Sequence, residues 1–382
     1  MAQSITFRFR EKQKIVTQIL VEIVKSAKNW YIKRKVLRGG AFMGKVIGHS
    51  YSSLISLTNL FQAWEEFKKG KRNKRDVQVF ERNLEDNLFD LYFALKSKSY
   101  KHGGYFEFYV NDPKRRHIHK AKVSDRIVHH LLYKYLYDIF DKIFICDSYS
   151  CRVGKGTHRA VKRLEEFTRI VSKNYTQDCW ALKLDIKKFF ASVDHSVLLK
   201  LISKKVKDPE ILWLVKEVIN SFHANRGSTS ITGRISKGIP LGNLTSQIFA
   251  NIYLNELDQF IKHDHKIKHY LRYADDFIIL DASKVKLLHY INIMKSYLDK
   301  YLKLELHPNK IVFRKLRQGI GFCGYVMLPY YILSRTKTKK RIFKKTLESK
   351  ISEQSLQSYL GYFSHANTFL VSLHLKNLFW LK

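Results

Sequence analysis

The sequence predicts an α+β protein with a helix-rich first part, a middle part of strands and helices, and a basic helical tail. Three observations support this order. Apolar residues recur at helical spacing within residues 76–98. Two apolar runs flank Ala274-Asp275-Asp276, the pattern of a tight β-hairpin. The stretch 335–345 contains seven Lys or Arg residues and no acid, ahead of a helical end.

Further elements are predicted along the chain from the same signals. They are a strand at Tyr105–Val110 ended by Asn111-Asp112-Pro113, a helix at Asp125–Phe144, a strand at Cys179–Ile186, two helical pieces within 195–222 broken near Asp208-Pro209, a Gly-rich loop, a helix at Leu244–Phe260, a helix at Leu287–Leu302 and a hairpin at Gly319–Met327.

The charge balance indicates a polyanionic partner. The 382 residues include 70 Lys+Arg and 33 Asp+Glu, a net charge of +37. Such an excess repels itself in the folded state unless a polyanion neutralises it, and a nucleic-acid backbone is the commonest one. A basic soluble protein or one held at an anionic membrane surface are the alternatives. With 45% hydrophobic residues the chain is not expected to be disordered.

The cysteines and the apolar stretches predict a cytoplasmic protein without a membrane segment. No C-x-x-C pair and no His/Cys cluster with zinc spacing is found, so the thiols are expected to be reduced. The start of the chain lacks a signal-peptide pattern. The longest uncharged stretch, 238–255, contains Pro240 and two glycines and would be a poor membrane span. The cysteines are Cys146, Cys151, Cys179 and Cys323.

Three acids at strand ends suggest a metal site. Asp275 and Asp276 lie at the predicted hairpin turn, and Asp185 ends an earlier strand. Neighbouring carboxylates repel one another unless a cation lies between them, and oxygen ligands favour Mg²⁺. Strands that bring these acids to one point would build a two-metal site for an in-line displacement. An isolated Asp-Asp pair is more often an ordinary polar turn.

Three segments together resemble reverse transcriptases. Leu182–Phe190 resembles the first palm motif of that family, Tyr273–Asp276 resembles its Y-x-D-D motif, and Gly238–Gln247 resembles the loop and helix start beneath the templating base pair. They occur in the family's order and spacing. The resemblance implies a right-hand polymerase with fingers, a palm of antiparallel sheet and helices, and a helical thumb.

The resemblance also implies domain boundaries. They are a basic helical N-terminal extension at 1–75, fingers with early palm elements at 76–178, the palm at 179–328 and a basic helical thumb at 329–382.

Roles for single residues follow from the same resemblance. Asp185 and Asp275 would be the main ligands of two Mg²⁺ ions, with Asp276 as the third acid and the Ile186 carbonyl assisting. Phe190 would exclude a ribose 2′-hydroxyl, because a ring at that position leaves no room for the extra oxygen.

Further residues would contact the substrates, which are an RNA template, a DNA or RNA primer, and dNTPs. Basic side chains suit a triphosphate, although a solvated basic hairpin is the alternative, and only glycine permits close backbone approach. The residues implied for the dNTP are Lys114, Arg116, Phe190, Leu241, Gly242 and Gln247. Those implied for template or primer are Asn243, Tyr273, Lys310, Gly321 and Gly324.

Within the family the chain most resembles the enzymes of diversity-generating retroelements. Most reverse transcriptases carry Gln where this chain has Leu241, and Pro where it has Gln247. The segments 126–130 and 148–158 resemble the same group. That resemblance implies error-prone copying of adenines in a template RNA and a small basic accessory protein, in a prokaryotic cell or encoded by a phage or mobile element.

Other functions remain open at this point. Retron, group II intron-like and abortive-infection reverse transcriptases share parts of these motifs, and the last group includes untemplated or protein-primed DNA synthesis. A non-catalytic RNA-binding relative would be expected to lack one of the acids, yet all three are present. An RNA-templated RNA polymerase is disfavoured by Phe190, since such an enzyme must accept the 2′-hydroxyl.

Overall fold

A computed structural model of the chain describes residues 50–380 except for 112–113, 225–235 and 349–350. The predicted N-terminal helices before residue 50 and most of the predicted Gly-rich loop therefore lie outside the described residues. Among the residues that the structure does describe, no helix is long and apolar enough to cross a membrane.

The secondary structure alternates helices with short antiparallel strands. The helices are α1 (Tyr51–Leu54), α2 (Leu57–Lys68), α3 (Arg75–Arg82), α4 (Leu84–Lys96), α5 (Val123–Phe140), α6 (Thr157–Val171), α7 (Phe189–Ser192), α8 (His195–Ser203), α9 (Pro209–Asn220), α10 (Leu244–Gln259), α11 (Lys284–Leu302), α12 (Thr336–Glu348), α13 (Glu353–Phe363) and α14 (Phe369–Trp380). The strands are β1 (Tyr105–Val110), β2 (Arg116–Ala121), β3 (Trp180–Asp185), β4 (Tyr270–Tyr273), β5 (Asp276–Asp281), β6 (Val312–Lys315), β7 (Ile320–Phe322), β8 (Tyr325–Leu328) and β9 (Tyr331–Ser334).

These elements form two compact units that are discontinuous in sequence. The first holds the described residues up to 139 together with 203–222 and 240–246, and the second holds 140–202, 223–239 and 247–382. The boundaries predicted from sequence after residues 75, 178 and 328 describe functional domains, and they stay a prediction.

The first unit is helical with one β-hairpin. Trp64 and Phe67 of α2 and Leu88 of α4 are buried in its core, as expected for amphipathic helices. The helix predicted across 76–98 is in fact two helices, because Asn83 adopts φ −120° and ψ 46° and ends α3. Strands β1 and β2 pair antiparallel, from Tyr105 opposite Ala121 to Val110 opposite Arg116.

The second unit contains two antiparallel sheets. Four strands pair in the order β4-β5-β3-β6, and three pair in the order β7-β8-β9. Both predicted hairpins are present, as β4–β5 and β7–β8, while β9 was not predicted. One face of the larger sheet packs on α6 through apolar side chains. They are Ala160, Leu164 and Phe167 of α6 with Leu271, Ile278 and Leu280 of the sheet.

A buried ion pair fixes the end of strand β4. The side chains of Arg272 and Asp258 are both fully buried, and Nη2 of Arg272 lies 2.6 Å from Oδ2 of Asp258. Nε of Arg272 donates to Oδ1 of the same carboxylate at 2.8 Å, and the Tyr270 hydroxyl donates to it at 2.6 Å. Nη1 of Arg272 donates to the carbonyl of Ala274 at 3.0 Å. The guanidinium thus ties helix α10 to the turn between β4 and β5.

We expect Asp258→Asn to destabilise the protein by about 3–5 kcal/mol, because it leaves the Arg272 charge buried without a counter-charge. Urea denaturation followed by fluorescence measures this change. Asp264→Asn, an exposed position just beyond α10, is the matched control and should leave the midpoint unchanged. Equal midpoints for the two variants would contradict the importance of the ion pair.

Candidate active site

The three predicted acids converge within the second unit. Asp185 is the last residue of β3 and Asp276 the first of β5, and the two lie directly opposite each other in the antiparallel register. Asp275 precedes Asp276 in the turn after β4. The turn closes because Ala274 adopts a φ of 54°, in the left-handed region. Paired residues of adjacent strands point to one face, which brings the carboxylates together.

The carboxylates form an electrostatically strained group. Burial raises the pKa of Asp275 above its ordinary value, and the negative charges of Asp185 and Asp276 raise it further. Burial likewise raises the pKa of Asp276, Asp185 adds to the rise, and the Lys183 ammonium opposes it. Both shifts mean that the ionised acids are unfavourable here without added positive charge.

Two lysines supply part of that positive charge. Nζ of Lys310 lies 2.7 Å from Oδ1 of Asp185, and Nζ of Lys183 lies 3.2 Å from Oδ2 of Asp276. Lys310 ends a short 3₁₀ turn after α11, and the adjoining backbone is held because the His307 amide donates to the Asp185 carbonyl at 2.8 Å. Lys310 was predicted to bind template or primer, and the structure places it on an acid.

The donor set fits divalent metal ions. Three carboxylates that repel one another offer the hard oxygen ligands that Mg²⁺ prefers. Ile186, whose carbonyl was predicted to assist, directly follows Asp185 and is buried, with its backbone bridged to Leu306. The segment that carries this carbonyl is therefore fixed in place.

The two phenylalanines after β3 differ in burial. Phe189 is 2% exposed and belongs to the core, whereas Phe190 is half-buried, with the ring centroids 5.4 Å apart. Lys188, the residue before α7, has a φ of 46°. The Phe190 carbonyl accepts a hydrogen bond from the Ile239 amide at 2.7 Å. Phe190 is thus the ring of the pair that remains accessible for the predicted selection of deoxynucleotides.

Several predicted substrate-binding residues lie in the first unit, on or against strand β2. The Leu241 carbonyl accepts from the His119 amide at 2.9 Å, and the Asn243 side chain donates to the His119 carbonyl at 2.8 Å. Gly242 has a φ of 108°, and a Cβ there would lie 2.8 Å from a methyl group of Ile118. Packing on β2 therefore already requires glycine at this position, whatever the loop binds.

The remaining predicted residues are scattered over both units. Exposed positions are Lys114 and Arg116 on the hairpin of the first unit and Gln247 on α10. Tyr273 accepts a hydrogen bond from the Thr157 hydroxyl at 3.2 Å. Gly321 has open space at its Cβ position, and Gly324, with a φ of 90°, turns β7 into β8 beside Tyr362. Their roles toward template, primer and dNTP stay predictions.

Three residues that matter to the site were not singled out from the sequence. Lys183 could have been found, since it lies two residues before Asp185 in one strand and so points to the same face. Arg272 interrupts the apolar run 270–273, whereas its partner Asp258 lies among polar residues and gives no such signal. A charge within an apolar run signals a buried ion pair, although the sequence does not identify the partner.

Comparison with known proteins finds a family match that spans all three acids. A family model described as reverse transcriptase (RNA-dependent DNA polymerase) matches residues 109–362. Protein YkfC of Escherichia coli (strain K12) is 23% identical over 54% of this chain and 61% of its own length. The group II intron-encoded protein LtrA of Lactococcus lactis subsp. cremoris is 23% identical over 62% of this chain and 49% of its own length.

Among solved structures, apo telomerase from Candida tropicalis is similar with a TM-score of 0.48 at 13% identity, over 73% of this chain and 57% of that chain. The present chain spans only part of each of these proteins. The match to the family model confirms the α+β fold class of right-hand polymerases that the sequence predicted. Since that match covers more than half of the chain and includes all three acids, the chain belongs to the reverse transcriptase family.

Proposed function

We propose that this chain is an RNA-directed DNA polymerase that extends a primer by nucleotidyl transfer. The observation that carries the proposal is the convergence of Asp185, Asp275 and Asp276 at one end of the inner strands β3 and β5. The raised pKa values of Asp275 and Asp276 indicate acids that bound cations would stabilise. Membership of the reverse transcriptase family supports the reaction type.

Asp185, Asp275 and the Ile186 carbonyl would hold two Mg²⁺ ions, with Asp276 as the third acid. Bound there, the ions would supply activation of the primer 3′-hydroxyl and stabilisation of the leaving pyrophosphate. The chain's own residues position these ligands. Lys310 contacts Asp185, and Arg272 fixes the turn that bears Asp275.

The substrate contacts belong to the same proposal. Lys114 and Arg116 would bind the triphosphate as exposed cations. Phe190, the more accessible ring of the pair after β3, would exclude a ribose 2′-hydroxyl. The large positive net charge suits an RNA template and a primer strand.

Primer extension on a defined RNA template with Mg²⁺ and dNTPs tests the proposed reaction. We expect templated DNA from the wild type and a loss of about 100-fold or more in Asp275→Ala, the scale seen when one electrostatic stabiliser is removed from an active site. Asp299→Ala, an exposed acid on α11, should remain fully active. Synthesis that survives in Asp275→Ala would place the chemistry elsewhere.

The strained acids also predict a stability effect. Because the pKa of Asp275 is raised in the folded protein, its ionised form disfavours folding, and this penalty grows as pH rises through the folded pKa. Asp275→Asn should therefore stabilise the metal-free protein at neutral pH by about 0.5–2 kcal/mol, the scale of single stabilising substitutions. The gain should vanish at acidic pH, where the wild-type carboxyl is protonated.

Urea denaturation in EDTA, at neutral and acidic pH, measures this effect, with Asp299→Asn as control. Mg²⁺ should stabilise the wild type more than Asp275→Asn, since the variant lacks one proposed ligand. A less stable Asp275→Asn at neutral pH would show that hydrogen bonds of the carboxylate outweigh its repulsion.

As a finer proposal, we infer that the enzyme serves a diversity-generating retroelement and copies adenines with errors, assisted by a small basic accessory protein. Support comes from Leu241 and Gln247, which depart from the commoner Gln and Pro of the family. An apolar side chain at Leu241 would offer no hydrogen bond near the nascent base pair, so the geometry of that pair would be checked less strictly.

We expect Leu241→Gln to lower the rate of misincorporation opposite adenine severalfold while total synthesis is retained. Sequencing the products of the extension assay measures both quantities, and Leu288→Gln, an exposed leucine of α11, is the control. Faithful copying by the wild type would favour a retron-like or group II intron-like enzyme. DNA made without regard to the template would favour the defence-type alternative.

A further inference from the structure

We propose that Glu107, His117 and His119 form a binding site for a transition-metal ion such as Zn²⁺ on the β1–β2 hairpin. None of the three was predicted as a functional residue, and the site shares no ligand with the three aspartates. One ligand atom from each lies within 4.8 Å of the others. The proposal concerns metal binding and does not depend on the proposed polymerase reaction.

The strand register brings the three side chains together. His117 and His119 are two residues apart on β2, so both point to the same face of the hairpin. Glu107 on β1 is paired directly with His119, which puts its carboxylate on that face as well. The sequence shows no metal-type spacing here, because the glutamate precedes the first histidine by ten positions. Only the turn of the hairpin brings it back beside them.

The distances suit a small coordination sphere. Oε2 of Glu107 lies 3.2 Å from Nε2 of His117, and Oε1 lies 4.0 Å from Nε2 of His119. Tetrahedral bonds of about 2.0–2.2 Å place neighbouring ligand atoms about 3.3–3.6 Å apart. The first separation is already close to that range, and the second requires a closure of roughly half an ångström.

Aromatic neighbours orient both imidazole rings. The His117 ring stacks on Tyr109 with centroids 4.6 Å apart and 10° between the planes. The His119 ring meets Phe222 edge-on at 4.7 Å. The side chain of His119 is 13% exposed, whereas those of His117 and Glu107 are 37% and 35% exposed. One side of the cluster is therefore held in place, and the other is open for a metal ion and its water ligands.

The chemistry of the ligands selects the metal. Two imidazoles and one carboxylate suit Zn²⁺ and its borderline neighbours, and three protein ligands leave a position for water. Mg²⁺, which prefers oxygen ligands, would bind poorly. Without metal, the same side chains make a simple histidine–carboxylate contact. Isolated two-stranded hairpins are only marginally stable in water, so a metal that joins β1 to β2 would stabilise the hairpin that carries Lys114 and Arg116.

Zinc binding is best measured on the full chain carrying Asp275→Ala, which should weaken the metal binding proposed at the aspartates. Equilibrium dialysis against Zn²⁺ in Mg²⁺-free buffer should show a site that His117→Ala or Glu107→Gln weakens by more than tenfold, since loss of an outer-shell partner alone costs about 10–100-fold. His289→Ala, an exposed histidine on α11, should bind as the parent does. Equal binding by all four proteins would overturn the proposal.

Co²⁺ spectra distinguish this site from the cysteines. Nitrogen and oxygen ligands give visible d–d bands without thiolate charge transfer, and His117→Ala should remove those bands. Strong thiolate charge transfer that persists in His117→Ala would assign the bound metal to Cys146 or Cys151, which are exposed, and would also overturn the proposal. Thermal unfolding in EDTA checks that each variant is folded. If His117→Ala unfolds early, Glu107→Gln decides.

Limited trypsin digestion tests the effect on the hairpin. Lys114, Arg115 and Arg116 are exposed cleavage sites at its tip. Zn²⁺ should slow cleavage there severalfold in the parent protein and should have no effect in His117→Ala. Equal cleavage rates with and without Zn²⁺ in the parent would contradict a metal that joins the two strands.

Discussion

The buried ion pair between Arg272 and Asp258 is the interaction on which the arrangement of the acids depends. Two fully buried charges are tolerated only when each is satisfied by geometry and hydrogen bonds, and here the carboxylate accepts from Nε, Nη2 and the Tyr270 hydroxyl. The remaining guanidinium nitrogen binds the Ala274 carbonyl. The pair thus holds a turn with a left-handed residue in place, and that turn carries Asp275.

The charges of the ion pair are balanced, whereas those of Asp275 and Asp276 are not fully balanced. Asp258 is neutralised by Arg272 at 2.6 Å, whereas Asp275 and Asp276 are left with raised pKa values because burial and mutual repulsion outweigh the nearby lysines. A folded protein keeps such strain only where the surrounding structure determines it. The turn held by Arg272 therefore gives the acids a geometry that they would not adopt by themselves, and a bound cation would relieve the repulsion.

Much of this arrangement could be predicted from sequence. The hairpin around Asp275-Asp276 and the strand ending at Asp185 follow from apolar runs bounded by acids, which are local signals. What could not be predicted depends on pairing between distant segments. The contact of Lys310 with Asp185, the choice of Asp258 as partner of Arg272, and the discontinuous units each join residues far apart in the chain. Even the local break at Asn83 was missed, because periodicity continues across it.

In the β1–β2 hairpin too, strand pairing brings together residues that the sequence pattern alone does not connect. His117 and His119 alone indicate only that two imidazoles share a strand face, and Glu107 becomes relevant once the register places it opposite His119. A shift of one residue in that register would move Glu107 to the other face. The Leu241 carbonyl accepts a hydrogen bond from the His119 amide and Asn243 binds the His119 carbonyl, so the backbone of His119 is bonded to the segment 241–243. The hydrogen bonds that hold the segment 241–243, which is predicted to bind substrate, therefore also hold the backbone of His119, one of the proposed metal ligands.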